Sequence, residues 1–157
     1  MREFKIFIIL SLLCTVATAA PEAKWIVKKS NGVTTLYTLK KDSRIRGSVR
    51  ESKVVIRPDK FKDQKFREKI VSKRKSMLSM LGATKWQLKK QIWEDEKVLM
   101  MGSYIDREGA TVNFLEVHHY KKKGTLQALL TATGKPLDEK GKLAKEFFKM
   151  QNLVVKW

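Results

Sequence analysis

Cysteine is almost absent from this chain of 157 residues, and the only one, Cys14, lies within the first twenty. Those residues have the pattern of an export signal: a positively charged start, an apolar stretch of 12 residues at 6–17, and small residues after it. We place the cleavage after Ala19, so that Ala20 begins the mature protein. The mature protein is then expected to hold no disulfide, no zinc–thiolate site and no cysteine nucleophile.

A long hydrophobic run is also missing. A membrane-spanning helix needs about 20 apolar residues, whereas the stretch before Ala19 is shorter and the chain turns polar at Pro21. Lipid anchoring at Cys14 would need a small residue before the cysteine, and Leu13 is not small. We therefore expect a cleaved signal peptide over residues 1–19 and a soluble, exported product, periplasmic or secreted. Exported domains without cysteine are more typical of bacteria than of animals.

Acidic side chains are few. The chain has 34 lysines and arginines against 16 aspartates and glutamates, which gives a formal charge of +18. Signal cleavage would remove Arg2, Lys5 and Glu3, two bases and one acid, so that +18 becomes +17. The remaining length predicts one domain over residues 20–157. Such an excess of positive charge favours anionic partners.

Proline and glycine are sparse, with 3 and 8 residues, and no glycine-rich phosphate loop is present. The pair Asn31-Gly32 separates two β-rich runs at residues 25–27 and 33–39, which predicts a β-hairpin. Residues 40–52 are polar and basic and are predicted to be a loop around Gly47. A short strand is predicted at residues 54–56.

The hydrophobic period changes between residues 59 and 81. Apolar side chains recur there at helical spacing, which predicts an amphipathic helix with one buried stripe. The stripe consists of Phe66, Ile70, Met77 and Leu81, with Val71 and Leu78 beside them. Asp59 or Asp63 can cap the start of this helix, and Gly82 lies where it would end.

The other side of the same helix is strongly basic, and we expect it to face solvent. We predict that this side binds anions through seven cations: Lys62, Lys65, Arg67, Lys69, Lys73, Arg74 and Lys75. The alternative is that the lysine-rich face only keeps the protein soluble.

Strand-like alternation returns after Gly82. It predicts a four-stranded meander whose strands are centred on residues 85–92, 98–105, 111–120 and 125–131. In the first of these strands, Trp86, Leu88 and Ile92 are expected on one buried side and Trp93 on the opposite, more exposed side. A last helix is predicted at residues 138–152. Its buried stripe would be Leu143, Ala144, Phe147 and Met150.

The order of elements predicts an antiparallel α+β domain. It has an N-terminal β-hairpin, an amphipathic helix, an antiparallel β-meander and a C-terminal helix packed on the sheet. This order resembles the MOG1/PsbP-like architecture over residues 25–153. Members of that group are mostly non-enzymatic accessory or interaction domains, and the resemblance implies the same here. No short motif carries the resemblance, so no functional residue is transferred.

Glu116, His118 and Tyr120 are the candidates for chemistry, because period 2 places them on one face of a strand and His119 on the other. A carboxylate beside an imidazole can cleave phosphodiesters, so the alternative function is a small secreted basic ribonuclease-like phosphodiesterase using Glu116 and His118. The pair could also begin a metal site, but no further ligand is visible. The simplest interpretation is a solvated sheet face without chemistry.

The sequence thus favours an exported, non-enzymatic binding or accessory domain without cofactor or metal. Outside the cytoplasm its basic surface would meet anionic lipid, envelope glycopolymer or nucleic acid. The other class of partner is an envelope protein, docked through the apolar tail at residues 153–157. The oligomeric state does not follow from the sequence.

Overall fold

The structure is a computed structural model that describes residues 24–137 and 141–153. Its strands and helices are β1 Trp25–Ser30, β2 Thr34–Leu39, β3 Asp42–Ser52, α1 Gln64–Met80, β4 Thr84–Trp93, β5 Lys97–Ile105, β6 Thr111–Lys121, β7 Gly124–Thr133 and α2 Lys142–Met150. A 3₁₀ turn, Pro58–Lys62, precedes α1. The predicted signal peptide with its cleavage site at Ala19, the predicted start of the last helix and the apolar tail beyond Leu153 lie outside the described residues.

The seven strands form one sheet in the order β1-β2-β3-β7-β6-β5-β4, and every neighbouring pair is antiparallel. Hairpins connect consecutive strands within each half. The segment that contains α1 carries the chain from β3, in the middle of the sheet, to β4 at its edge. The predicted α+β class, with an N-terminal hairpin and a four-stranded meander, is confirmed.

The two helices cover opposite faces of the sheet, because alternate strand residues point to opposite sides. On one face, Phe147 and Phe148 of α2 pack with Leu115 and the other apolar residues of a large cluster. On the other face, Phe61 and α1 pack over Met100 and Phe114. The predicted packing of the C-terminal helix on the sheet is therefore confirmed.

The prediction of a loop at residues 40–52 is wrong, because most of this segment is strand β3. Ile45, Gly47 and Val49 are buried, and Arg44, Arg46 and Arg50 of the same strand are exposed. A Cβ on Gly47 would lie 2.3 Å from the ring of Phe147, so glycine leaves the space that this aromatic ring occupies. The sequence pattern does not predict this strand, because a glycine occupies a position where the alternation of a strand would have an apolar residue.

The strand predicted at residues 54–56 is not formed. Val54 and Val55 are exposed and belong to no ladder. The hydroxyl of Thr125 donates a hydrogen bond to the carbonyl oxygen of Val54 at 2.7 Å, which connects this extended segment to the start of β7. Residues 53–57 therefore form an extended segment beside the sheet that connects β3 to the turn before α1.

Strand β4 departs from simple alternation. Its register against β5 shifts between Leu88 and Lys90, where the strand is irregular. Trp86, Leu88 and Trp93 consequently pack on the α1 side, whereas Ile92 packs in the cluster under α2. The prediction that Ile92 shares a face with Trp86 and Leu88, and Trp93 does not, is wrong for this reason.

Helix α1 has the predicted cap and a shorter buried stripe than expected. The side chain of Asp63 accepts hydrogen bonds from the backbone N–H groups of Lys65 and Phe66, at 2.9 and 3.4 Å. Gly82 follows the helix with φ of 83°, a conformation that favours glycine. Leu81 was predicted to be buried but is 62% exposed, because the helix has already ended at this point.

Helix α2 buries a different stripe from the predicted one. Ala144, Phe147 and Phe148 are buried and Leu143 is partly buried, but Met150 is exposed. Leu153, just beyond the helix, is buried in the same cluster. The apolar face is thus centred on the two adjacent phenylalanines.

Candidate functional site

Helix α1 presents a straight row of side chains to the sheet at intervals of four residues. The row is Phe66, Ile70, Arg74 and Leu78. Arg74 occupies a place in this row that sequence patterns usually give to an apolar residue, and it is 8% exposed. The expectation that Arg74 lies on the solvent side with the other cations is therefore wrong.

Arg74 is buried because it meets Glu116 of β6, which is fully buried under α1. Nε of Arg74 lies 2.7 Å from Oε2 of Glu116. The two atoms form an ion pair, although the N–H is not aligned as a hydrogen bond. Within the described residues, this ion pair connects α1 to the sheet.

Three more contacts surround Glu116 and His118. His118 Nε2 lies 2.8 Å from Oε1 of Glu116, and the side-chain amide of Gln127 donates to the same oxygen. The hydroxyl of Tyr120 lies 3.4 Å from Nδ1 of His118. The result is a closed polar network in which both ring nitrogens already face protein groups.

The network determines the charge of Glu116. Burial alone would raise the pKa of this carboxyl, but the hydrogen bond and charge of His118, the charge of Arg74 and the Gln127 hydrogen bond together bring it below its ordinary value. Burial, assisted by the Glu116 charge, raises the pKa of Tyr120. Glu116 is therefore ionised and Tyr120 neutral at physiological pH.

The structure brings together Glu116, His118 and Tyr120, as the alternation in β6 predicted. His119 lies on the other side of the strand, with Nε2 3.8 Å from a carboxylate oxygen of Glu96. Burial and the charges of nearby lysines lower the pKa of His119. The expectation of a solvated face is wrong for Glu116, because α1 lies over it.

A cleft of about 400 Å³ opens beside the network, between α1, the segment after β3 and the sheet. Its floor includes a row of directly paired residues, Arg50 of β3, Gln127 of β7 and His118 of β6. Apolar side chains form the walls, and these are Val54, Ile56, Ile70 and Met77. The exposed side chains of Arg50 and Lys73 supply positive charge to the same cleft.

The solvent side of α1 is basic, as expected. Lys65, Lys69 and Lys73 are exposed and follow each other at intervals of four residues, so they form one line along the helix. Lys62 lies just before α1 and Lys75 lies on it, and both are also exposed. The anion-binding role predicted for this face remains a prediction.

Arg67 has a different environment from the lysines. Its Nε donates a hydrogen bond to the carbonyl oxygen of Phe61, and its guanidinium lies 5.3 Å from the centre of the Trp93 ring. Trp93, expected to be the exposed tryptophan, is partly buried beneath this contact. Arg67 therefore acts largely as a packing residue between α1 and β4.

Two further properties hold for the part of the chain that the structure describes. No group of three or more histidine, cysteine, aspartate or glutamate side chains is placed to hold a metal ion. Neither described helix is long and apolar enough to cross a lipid bilayer.

Known proteins are similar to this chain in structure and not in sequence. No protein-family model and no curated protein matches the sequence. Among solved structures, the Saccharomyces cerevisiae Ran-binding protein Mog1p aligns with a TM-score of 0.51 and 11% identity, over 84% of this chain and 76% of its own. The chain has the MOG1/PsbP-like fold.

Two other structures agree with this assignment of the fold. A point mutant of the protein Mog1 aligns with a TM-score of 0.51 and 12% identity, over 78% of this chain and 73% of its own. The Pseudomonas aeruginosa protein PA94, described as a protein of unknown function and putative regulator, aligns with a TM-score of 0.50 and 17% identity. That alignment covers 83% of this chain and 88% of PA94. The MOG1/PsbP-like resemblance predicted from element order is thus confirmed for the fold.

Proposed function

We propose that this MOG1/PsbP-like protein is an exported, non-enzymatic binding domain whose basic α1 face contacts an anionic component of the cell envelope. The observation that carries the proposal is the line formed by Lys65, Lys69 and Lys73. Like charges four residues apart on a helix repel each other. A partner that brings negative charge to the line would relieve this repulsion.

The line has no acidic counterpart among the residues that the structure describes. None of its three lysines forms an ion pair with a carboxylate in residues 24–137 or 141–153. Glu68, the acidic residue of α1, accepts a hydrogen bond from Gln64 at 2.9 Å. The positive potential of this face is therefore directed to solvent, where it can attract an anionic surface.

A binding role also agrees with the buried network. Glu116 is inaccessible, and both nitrogens of His118 face protein groups. A catalytic base must reach the proton that it removes from a substrate. The network instead holds α1 in place on the sheet, so that the lysine line is presented on a fixed helix. The alternative of a ribonuclease-like enzyme has no comparable support.

The fold neighbours favour the same class of function. One of them is described as a Ran-binding protein, which is a protein that acts by binding a partner. By analogy we include an envelope protein with an acidic surface among the partners of this chain. Anionic lipid is the favoured partner, because exported proteins meet membrane surfaces, and each lysine near such a surface contributes about 1 kcal/mol.

The experiment is vesicle binding by the mature protein, residues 20–157. We expect it to bind vesicles of phosphatidylglycerol and not vesicles of phosphatidylcholine. The triple variant Lys62→Ala, Lys65→Ala, Lys69→Ala should lose affinity by about 100-fold, because it removes two lysines of the line and Lys62 just before it from the contact. Lys73 is kept because it also borders the cleft beside the Glu116 network.

The matched control has the same change in net charge at a different place. The exposed end of β6 and the turn after it offer Lys121, Lys122 and Lys123 for this purpose. Replacing these three by alanine should weaken binding far less than the α1 variant does. Equal losses in the two triple variants would show that only the total charge matters, and the assignment to α1 would then be wrong.

A further inference from the structure

We propose that the cleft beside the Glu116 network is a binding site for a single-chain amphiphile with an anionic head group. The proposal does not rest on the membrane contact of α1. Lys73 is common to both sites, and the variants that test them leave Lys73 unchanged. The volume of the cleft, about 400 Å³, lies within the usual range of small-molecule sites. The contacts within the Glu116 network do not involve the open space of the cleft.

The polar floor of the cleft is already satisfied by contacts inside the protein. The Gln127 amide donates to Glu116, His118 faces Glu116 and Tyr120, and the hydroxyl of Thr125 donates to the Val54 carbonyl. These groups have little remaining capacity to bind a polar ligand. The charge of a ligand must therefore be met by the cations at the edge.

Two cations meet this requirement. Arg50 projects from β3 and is paired in register with Gln127 on the cleft floor, and Lys73 lies on the facing side of α1. Both are exposed, and neither forms an ion pair with any carboxylate of the described residues. A guanidinium is suited to binding a carboxylate or phosphate head through two parallel hydrogen bonds.

The walls require an apolar ligand body. Ile70 and Met77 line the cleft from α1, while Val54 and Ile56 line it from the extended segment after β3. Val54 is 58% exposed, so its side chain is free to contact a ligand, and an alkyl chain that covers it would remove apolar surface from water. Apolar walls beside cations fit an alkyl chain with a negative head.

The test uses calorimetric titration of the full mature protein with dodecanoate, below the concentration at which micelles form. We expect saturable binding. Dodecyltrimethylammonium has the same chain with a positive head, and acetate has the head without the chain; both should bind at least about 10-fold more weakly. Dodecyl phosphate shows which anionic head is preferred, and tight binding of either anion supports the site.

Two matched pairs of variants locate the binding. Arg50→Ala should weaken dodecanoate binding by about 10-fold, whereas Arg46→Ala, on the same strand and face but outside the cleft, should leave it unchanged. Val54→Gln should also weaken it, whereas Val55→Gln, with a side chain of similar exposure outside the cleft, should not. All four positions are exposed, so the variants are expected to fold.

Several results would overturn the proposal. Absence of saturable dodecanoate binding, equally tight binding of dodecyltrimethylammonium, or equal effects within either matched pair would each do so. The triple alanine variant at Lys62, Lys65 and Lys69 is expected to bind dodecanoate normally, and Val54→Gln is expected to bind vesicles normally. Failure of one site is thereby distinguishable from failure of the other.

Discussion

Arg74 of α1 and Glu116 of β6 form a buried ion pair, with Nε and Oε2 2.7 Å apart. Arg74 is 8% exposed and Glu116 is not exposed at all. An isolated charge in such a place is very unfavourable, and each of these groups is tolerated because the other neutralises it. The pair therefore fixes the position of α1 and, with it, the direction of the basic face.

The first prediction concerns this pair. Arg74→Met should lower the free energy of unfolding by about 3–5 kcal/mol, because it leaves the Glu116 carboxylate buried without its cation. Urea denaturation followed by circular dichroism measures the change. The control is Lys73→Met, a change at the adjacent exposed position, which should alter stability by less than about 0.5 kcal/mol. Similar effects of the two substitutions would contradict the structural role of Arg74.

The second prediction concerns pH. The pKa of Glu116 in the folded protein is below its ordinary value. Burial raises this pKa, but the combined effect of His118, Arg74 and Gln127 lowers it by more than burial raises it. Stability from this group is therefore present above the unfolded pKa of about 4.3 and is lost as pH falls through the lower folded pKa. Glu116→Gln should be less stable than the wild type at neutral pH, and this difference should shrink in acid.

Urea midpoints of both proteins between about pH 7 and pH 3 test this expectation. Asp42 and Glu146 also have lowered pKa values, through Arg44 and Lys24 respectively. They are present in both proteins, so the difference between wild type and Glu116→Gln isolates the buried carboxylate. A difference that stays constant with pH would mean that Glu116 is not ionised in the folded protein.

The third prediction concerns Gly47. Gly47→Ala should destabilise the protein by about 1–3 kcal/mol, because the new methyl group would overlap the Phe147 ring and force a shift in packing. Thermal unfolding measures the loss. Adding Phe147→Leu removes the obstructing ring atoms, so the double variant should lose less than the sum of the two single changes. Strict additivity would show that the two residues do not share this space.

The fourth prediction concerns catalysis. The wild-type protein should cleave neither RNA nor DNA, because Glu116 is inaccessible and His118 is engaged by Glu116 and Tyr120. A gel assay with purified mature protein measures this. Cleavage that His118→Ala abolishes would instead establish the phosphodiesterase and overturn the non-enzymatic proposal.

Much of the fold follows from local patterns in the sequence. The Asn31-Gly32 turn, the cap at Asp63 and the alternation in β6 and β7 each agree with the tertiary structure, so the α+β class and the element order could be predicted. Strand β3 could not be predicted in this way. Gly47 contributes no hydrophobic signal there, although its missing side chain is what allows Phe147 to pack.

The site was only partly predictable. Alternation placed Glu116, His118 and Tyr120 on one face, but it does not reveal which helix lies over that face. Arg74 was assigned to solvent because arginine is seldom buried. The spacing of four residues between Ile70, Arg74 and Leu78 indicates that Arg74 lies on the buried side of α1. A cation at such a position requires a buried acid opposite it.

The salt dependence of binding to phosphatidylglycerol vesicles tests the central claim most directly. If the lysine line on α1 binds an anionic surface, the affinity of the mature protein should fall at least about 10-fold between roughly 50 and 200 mM salt, because exposed charges are screened. The Lys62, Lys65, Lys69 triple alanine variant should show a much shallower fall. Wild-type affinity that is absent, or that does not change with salt, would contradict the account.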